Sequence, residues 1–466
     1  MSKKRVHIRI EHDIMGPVKV PYDAYYGIFT VRAETNFPIS GLRINNELQK
    51  AILKVKLAGA KANGKLKRIE KKKSKAIIKA CEEILDDYDY FKDHFIIDVF
   101  QAGAGTPWHM NTNEVIANLA IENLGHNKGD YKVIDPHNDV NHGQSTNDVI
   151  PTSIRIASLE MERRLISEIE DLIYSLRKKG KEFSKFIKSG RTHLMDAVPI
   201  RLGDDFYAYA DDLEKRKKHI MESSKNLSEL QIGGSAIGTG LNSHPSFSKE
   251  VVNILRKMSK LNLKVAKNKI EETQFMGDLL DTSSGLRSLA VSLNKIANDL
   301  RLLSSGPTTG FNEISLPEVE PGSSIMPSKF NPSIPEMLNM VCFQVFGNDE
   351  VVREAASAGQ LELNVMTPVL AHNLLQSFEI LTNGIKQFND LCVKGIKANK
   401  EVLENYFLNN PIVGTVLNPL IGYDKTAELI REAIHKRKSV KELAIQKGII
   451  DEKEADKIFS KKNFGL

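Results

Sequence analysis

Apolar residues recur at spacings of three and four through the middle of the chain. Ile154, Leu159, Leu165, Ile166, Ile169, Leu172, Ile173 and Leu176 carry one apolar face over roughly 20 residues. Leu286, Leu289, Leu293, Ile296, Leu300 and Leu303 repeat the pattern. The periodicity predicts long amphipathic helices from Pro151 to Gln387, a break at Asn364–Pro368, and helix again over Val369–Phe388. Long helices with few strands between them pack as a bundle. Several, Leu286–Leu303 among them, are apolar over more than one stripe. That predicts burial against more than one neighbour and hence an oligomer. The first third is mixed: a short strand over Arg5–Ile14, loop over Tyr22–Phe37, and helix from Asn45. Leu48, Ile52, Val55 and Leu57 lie at roughly helical spacing, and Ala76–Leu85 resumes helix. The tail, Gly395–Leu466, has shorter helices interrupted at Pro411–Gly414 and Pro419–Gly422. The expected architecture is therefore mainly all-α. It has three domains: 1–141, mixed but mainly helical; 142–394, a central long-helix bundle; and 395–466, small and helical.

Composition narrows the class. The chain has 466 residues, 41% hydrophobic and 27% charged, ordinary for a soluble globular protein. No window reaches membrane-spanning length without charges. A net charge of +6 makes no nucleic-acid binder. The run KLKRIEKKKSK, Lys65–Lys75, reads as a solvated helix end and turn rather than a polyanion patch. Three dispersed cysteines, Cys81, Cys342 and Cys392, fit a reducing compartment. The start Met1-Ser-Lys-Lys-Arg resembles that of a signal peptide. His7, Arg9, Glu11 and His12 follow instead of an apolar stretch, so the expectation is a cytoplasmic protein.

Candidate chemistry lies in four polar loops. The first is Glu320–Glu336, EPGSSIMPSKFNPSIPE. Gly322, Ser323 and Ser324 form a small turn with two hydroxyls. Lys329 and Asn331, at spacing two, point to one side if extended and suit a carboxylate. Pro335 and Glu336 then open a helix. Ala102–Asn113, AGAGTPWHMNTN, offers close backbone approach at Gly103 and Gly105, with donors at Thr106, His109, Asn111 and Asn113. Asn141–Asp148, NHGQSTND, sets Ser145, Thr146 and Asn147 in a row, with Asp148 or Thr152 as candidate helix cap. Ser189–Asp196, SGRTHLMD, places Thr192 beside His193. His137, His142, Asp135 and Asp139 match no standard metal spacing, so no metal site is assigned. The glycine-rich Gly233–Gly240 lacks the Lys-Ser/Thr of a phosphate loop.

GSSIMPSKFNP resembles the signature of the fumarase/aspartase superfamily, whose members typically show GSSxMPxKxNP. GRTHLMDAVP, AGAGT…MNTNEV, QSTND and GGSAIGTGLN accompany it in family order. The N-terminal EHDIMGPVKVPYDAYYGIFTVRAETNF and the C-terminal LNPLIGYDKTAELI extend the resemblance over essentially the whole chain. QSTND, Ile334-Pro335-Glu336, GHNKGDY, GQLELNVMTPVL and GIKANKE are more similar to the aspartase form than to fumarase. The sequence also departs from the pattern. Pro107-Trp108-His109 stands where small polar residues and Asn are common. Thr308-Thr309 replaces an Arg after SGP, and Ser328 replaces Gly or Ala.

The resemblance implies a three-domain fold around the bundle and reversible deamination of L-aspartate to fumarate and ammonia. The alternatives it leaves are a class II fumarase and a lyase for another aspartate derivative. It implies Ser323 as the base that takes the proton from Cβ. Thr106, Ser145, Thr146 and Ser324 would meet the carboxylate of the resulting aci-carboxylate. Thr192, Lys329 and Asn331 would hold the α-carboxylate, and Asn147 and His193 would face the amino group, with Glu336 supporting His193. It further implies a homotetramer in which three subunits build each site, and chemistry that requires no cofactor. The response to divalent metal stays open.

Overall fold

The structure, a computed structural model, describes residues 7–464; the basic start Met1–Arg5 lies outside them. The chain is mainly helical. It divides into two compact units: Met1–Ile166, Lys218–Ser288 and Phe343–Leu381 in one, and Ser167–Lys217, Leu289–Cys342 and Thr382–Leu466 in the other.

The first unit opens with an antiparallel hairpin of β1 (Ile8–Asp13) and β2 (Gly16–Pro21). The expected loop at Tyr22–Phe37 is instead half helix, α1 (Ile28–Asn36). The reason is remote. Glu114 Oε2 accepts from Gly27 N (2.9 Å), Thr30 N (3.1 Å) and Thr30 Oγ1 (2.6 Å), and its Oε1 accepts from Phe29 N (2.8 Å). Glu11 Oε2 takes Ile28 N at 2.7 Å. The orphan donors of the helix start are thus met by carboxylates that local sequence does not reveal. Arg9 secures the turn before it by donating to the carbonyls of Pro21, Tyr22, Ala24 and Tyr26.

Helices α2 (Asn46–Lys65) and α3 (Lys71–Asp86) follow as the periodicity predicts. Leu48, Ala51, Ile52, Leu53 and Val55 are all buried, so α2 is a core helix rather than a surface one. The helix Thr106–Asn123 is buried from Pro107 to Ile121.

Five long helices, Thr146–Phe183, Leu202–Ser223, Gly277–Leu303, Ser333–Ser357 and Thr367–Leu391, dominate the chain. Their apolar stripes are buried: Leu165, Ile169, Leu172 and Leu176 on one, and Leu370, Leu374, Phe378 and Leu381 on another. The Ser333 helix ends ahead of the expected break at Asn364. Asn364 Nδ2 donates to the Ala355 and Ala356 carbonyls (2.9 and 3.1 Å), closing that helix end from outside. Val291, Met340 and Phe343 are 57%, 63% and 58% exposed on these helices, leaving apolar surface open.

In the second unit, β3 (Ile187–Thr192) and β4 (Met195–Arg201) form a hairpin. The tail has its own small core of Leu417, Leu429, Ala433, Val440, Leu443, Ala444, Ile450 and Ala455. Among the described residues no helix is long and apolar enough to cross a membrane.

If Glu114 is what holds α1, Glu114→Gln should lower stability by about 2 to 3 kcal/mol, because an amide nitrogen then faces backbone donors. Thermal unfolding with circular dichroism measures it, and an unchanged midpoint would remove Glu114 from this role.

Candidate active site

In the first unit two helix starts carry the polar loops. Thr106 is the first residue of its helix, after Ala104 and Gly105 in left-handed conformations (φ 62° and 78°). Ala104 N donates to Val365 O at 2.7 Å. A Cβ on Gly103 would lie 2.7 Å from the Val365 Cβ, so only glycine permits this approach. The Thr106 hydroxyl is half-buried and has no side-chain partner among the described residues.

Ser145 precedes the helix Thr146–Phe183 and caps it, accepting from Asn147 N at 3.2 Å. The expectation of Asp148 or Thr152 as cap is therefore corrected. Asp148 performs the reciprocal half, its Oδ1 accepting from Ser145 N at 2.9 Å. Asp148 Oδ2 then takes Gly233 N and Ser235 N, both at 2.9 Å, and Asn147 Nδ2 donates to Ala236 O at 2.7 Å. The glycine-rich turn is thus a structural clamp on Ser145–Asn147. Thr146 Oγ1 lies 2.9 Å from His109 Nδ1. These bonds bring Ser145, Thr146 and Asn147 together with the helix that Thr106 begins.

The charges here are buried. Burial pushes the Asp148 carboxyl up to about 6, against its backbone N–H bonds and Lys56, which pull it down. Lys56 Nζ donates to Asn141 Oδ1 (2.8 Å) and Gln144 Oε1 (3.2 Å), and burial brings its pKa down to about 7. Burial, then the charges of Lys56 and His137, holds His109 well below the usual histidine range. The sequence singled out neither Lys56 nor the clamping role of Asp148. A lysine in the apolar run of α2 was the available signal for Lys56.

In the second unit, His193 and Leu194 form the two-residue turn between β3 and β4, both in left-handed conformations (φ 56° and 61°). Histidine is among the non-glycine residues that enter this region, whereas leucine is not, so the turn holds local strain at Leu194. Thr192 and His193 are exposed. The hairpin stands on buried Glu313, which accepts from Arg191 Nη1 at 2.7 Å and lies 3.3 Å from Lys188 Nζ.

The signature loop also belongs to this unit. Ser323 Oγ accepts from Ile325 N (3.2 Å) and Met326 N (2.9 Å). Lys329 Nζ donates to Asn331 Oδ1 at 2.6 Å, so the two do point the same way. Asn331 Nδ2 donates to Gly322 O at 2.6 Å, and Gly322 N donates to Lys329 O at 3.0 Å. Ser328 sits at φ 63°, which explains physically why glycine suits that place. Ser324, Ile325, Met326 and Lys329 are exposed. Glu336, in the first turn of the next helix, lies 3.7 Å from Arg301, and no hydrogen bond joins it to His193 among the described residues.

Among the described residues no group of three or more His, Cys, Asp or Glu could hold a metal ion. Asp135 caps a short turn through His137 N and Asn138 N, and Asp139 pairs with Lys73.

The site features are hydroxyl-rich helix starts and an exposed serine-bearing loop in a mainly helical fold, and similarity to known proteins gives the class as a lyase. The Lyase family profile matches residues 16–347, and the Fumarase C C-terminus profile matches 413–464. The aspartate ammonia-lyase of Bacillus subtilis (strain 168) is 46% identical over 97% of this chain and 95% of that enzyme. The enzyme of that name from Escherichia coli (strain K12) is 44% identical over 98% and 96%. A fumarate lyase:delta crystallin structure from Brucella melitensis, bound to cobalt, superposes with a TM-score of 0.93 at 42% identity, covering 98% and 99% of the two chains. Class II fumarase from Schistosoma mansoni gives 0.93 at 34%, covering 99% of each. The chain belongs to this fumarase/aspartase lyase family.

Lys56 supplies a pH prediction. Its folded pKa is depressed, so the unfolded chain binds more protons between about 7 and its ordinary value of 10.5. The folded state therefore gains stability as pH rises across that window and loses it as pH falls through 7. Thermal melts of the wild type and Lys56→Met from pH 6 to 10 should show the wild type gaining on the variant. Parallel curves would mean that Lys56 does not titrate there.

Proposed function

We propose that this lyase is an ammonia-lyase that converts L-aspartate reversibly to fumarate and ammonia. Near-full-length similarity to enzymes named aspartate ammonia-lyases supports the reaction. The observation that carries the mechanism is that Ser323 Oγ accepts two backbone N–H bonds. A serine is a base only as its anion, and the Ile325 and Met326 N–H groups, with the cationic Lys329 of the same loop, favour that anion.

Ser323 Oγ⁻ takes a proton from Cβ, and the electron pair moves onto the β-carboxylate to give an aci-carboxylate dianion. Thr106, Ser145, Thr146 and Ser324 donate to it. Thr106 and Thr146 each begin a helix, where the N-terminal backbone also favours negative charge. The pair then returns to form the double bond, and the C–N bond breaks with its electrons on nitrogen. Thr192, Lys329 and Asn331 hold the α-carboxylate. Lys329 gives one proton to Asn331 and keeps the others for the ligand. Asn147 spends an amide proton on Ala236 O, which leaves its Oδ1 to accept from the substrate ammonium. His193 faces the same group, and Glu336 supports His193 in a site shared among subunits. Closure of the exposed loop excludes water.

The assembly we propose is a homotetramer with sites built by three subunits. Exposed Val291, Met340 and Phe343 on the long helices supply apolar surface for it. Three unpaired, buried cysteines suit a reducing compartment, and we place the protein in the cytoplasm. The scheme requires no cofactor.

Fumarate absorbance, followed with L-aspartate and with L-malate separately, tests the substrate. Turnover of malate without aspartate would replace this reading by the fumarase reaction. Ser323→Ala should lower kcat by about 10²- to 10⁴-fold at unchanged melting temperature. Unchanged turnover would remove Ser323 as base. Sedimentation should show a tetramer, and a monomeric preparation should be inactive.

A further inference from the structure

His109 is 1% exposed, in the first turn of the helix that Thr106 begins. Its Nδ1 lies 2.9 Å from Thr146 Oγ1, and its Nε2 is buried without a partner among the described residues. The Thr146 side chain has no other partner among the described residues. A threonine hydroxyl carries one proton and two lone pairs. If Nδ1 is bare, Thr146 spends its proton on the imidazole and presents only lone pairs elsewhere. If Nδ1 carries the proton, the imidazole donates to Oγ1 and the Thr146 proton is free.

Two considerations select the second arrangement. A carboxylate accepts and never donates when ionised, so a Thr146 that meets one must have its proton to give. The same tautomer leaves a bare lone pair at the unpartnered Nε2, and a buried acceptor without a partner is tolerated more readily than a buried N–H. Burial in the company of Lys56 and His137 keeps the ring from becoming imidazolium near neutral pH.

We infer that His109 is a positioning residue: its Nδ1–H tautomer accounts for the direction of the Thr146 proton and so sets the grip on the substrate carboxylate. An asparagine at this place could also donate to Thr146, through Nδ2. The inference rests on Thr146 being a carboxylate donor.

A double-mutant cycle on the full-length enzyme tests it, with aspartate as substrate. His109→Leu should lower kcat/KM about ten- to hundredfold, through the loss of one hydrogen bond and the redirected Thr146 proton. His109→Asn should recover most of that loss. The H109L loss should be constant from pH 7 to 9, because His109 is neutral throughout. Thr146→Val should cost a similar factor, and H109L/T146V should be within about threefold of T146V alone, since the two residues act as one unit. Multiplicative losses in the double variant, or H109L within threefold of wild type, would overturn the inference while leaving Thr146 in the site. A harmless T146V would overturn the carboxylate-donor reading and this inference with it. Should H109L not fold, His109→Met, which fills the space flexibly, takes its place in the cycle.

Discussion

A carboxylate with no exposed surface, Asp148, accepts backbone N–H groups from two segments far apart in sequence. An ionised carboxylate left unsatisfied in the interior would be prohibitively costly, so these bonds are obligatory once Asp148 is buried. They fix Ser145 at the start of the long helix and hold Gly233 and Ser235 in left-handed conformations (φ 81° and 59°). Gly233 can adopt this at no steric cost, whereas Ser235 does so only because Asp148 and the surrounding turn hold it there. The row Ser145–Asn147 is ordered by this constraint rather than by its own propensity.

The same device recurs. Glu114 and Glu11 order the start of α1, and Glu313 holds the β3–β4 hairpin through Arg191 and Lys188. Asp98 accepts from Ser40 N, Gly41 N and Phe100 N, ordering two further turns. In each case a buried acid supplies what the loop cannot supply itself. The signature loop differs. Its bonds are local, from Gly322 to Lys329, Lys329 to Asn331 and Asn331 to Gly322. From Gly322 to Asn331 the hydrogen bonds among the described residues are all internal, and such a stretch, with Ile325 83% exposed, belongs to the low-stability end of a fold, where closing elements are found.

That contrast explains what was legible in the sequence. The long helices were, because Leu165 to Leu176 and Leu286 to Leu303 declare their faces through local spacing. That Lys329 and Asn331 lie on one side was, because spacing two sets it. Helix α1 was not, because its start is satisfied by Glu114, more than 80 residues away in sequence. The early end of the Ser333 helix was hidden for the same reason, since Asn364 closes it from beyond the turn. The sequence places the cap at Asp148 or Thr152 because Ser145, Asp148 and Thr152 all have the chemistry, and only geometry separates the acceptor, Ser145, from its reciprocal partner, Asp148. His109 stood out as a substitution, but its partner Thr146 lies 37 positions on.

The proposed donors share one property that bears on catalysis. Thr106, Ser145 and Thr146 are neutral hydroxyls at or beside helix starts, while the bases packed near them, Lys56 and His109, are pushed by burial toward their neutral forms. A full cation at this place would bind the substrate carboxylate strongly before reaction. Only the part of an interaction that grows in the transition state accelerates the step. In the proposed scheme these neutral dipoles, with the Ser145–Asn147 row fixed by Asp148, would hold the carboxylate modestly and gain as its second charge develops, without needing to reorient. On this argument the buried acid contributes to rate by preorganisation. In that scheme it would touch no substrate, yet the direction of the Ser145 to Asn147 row depends on it.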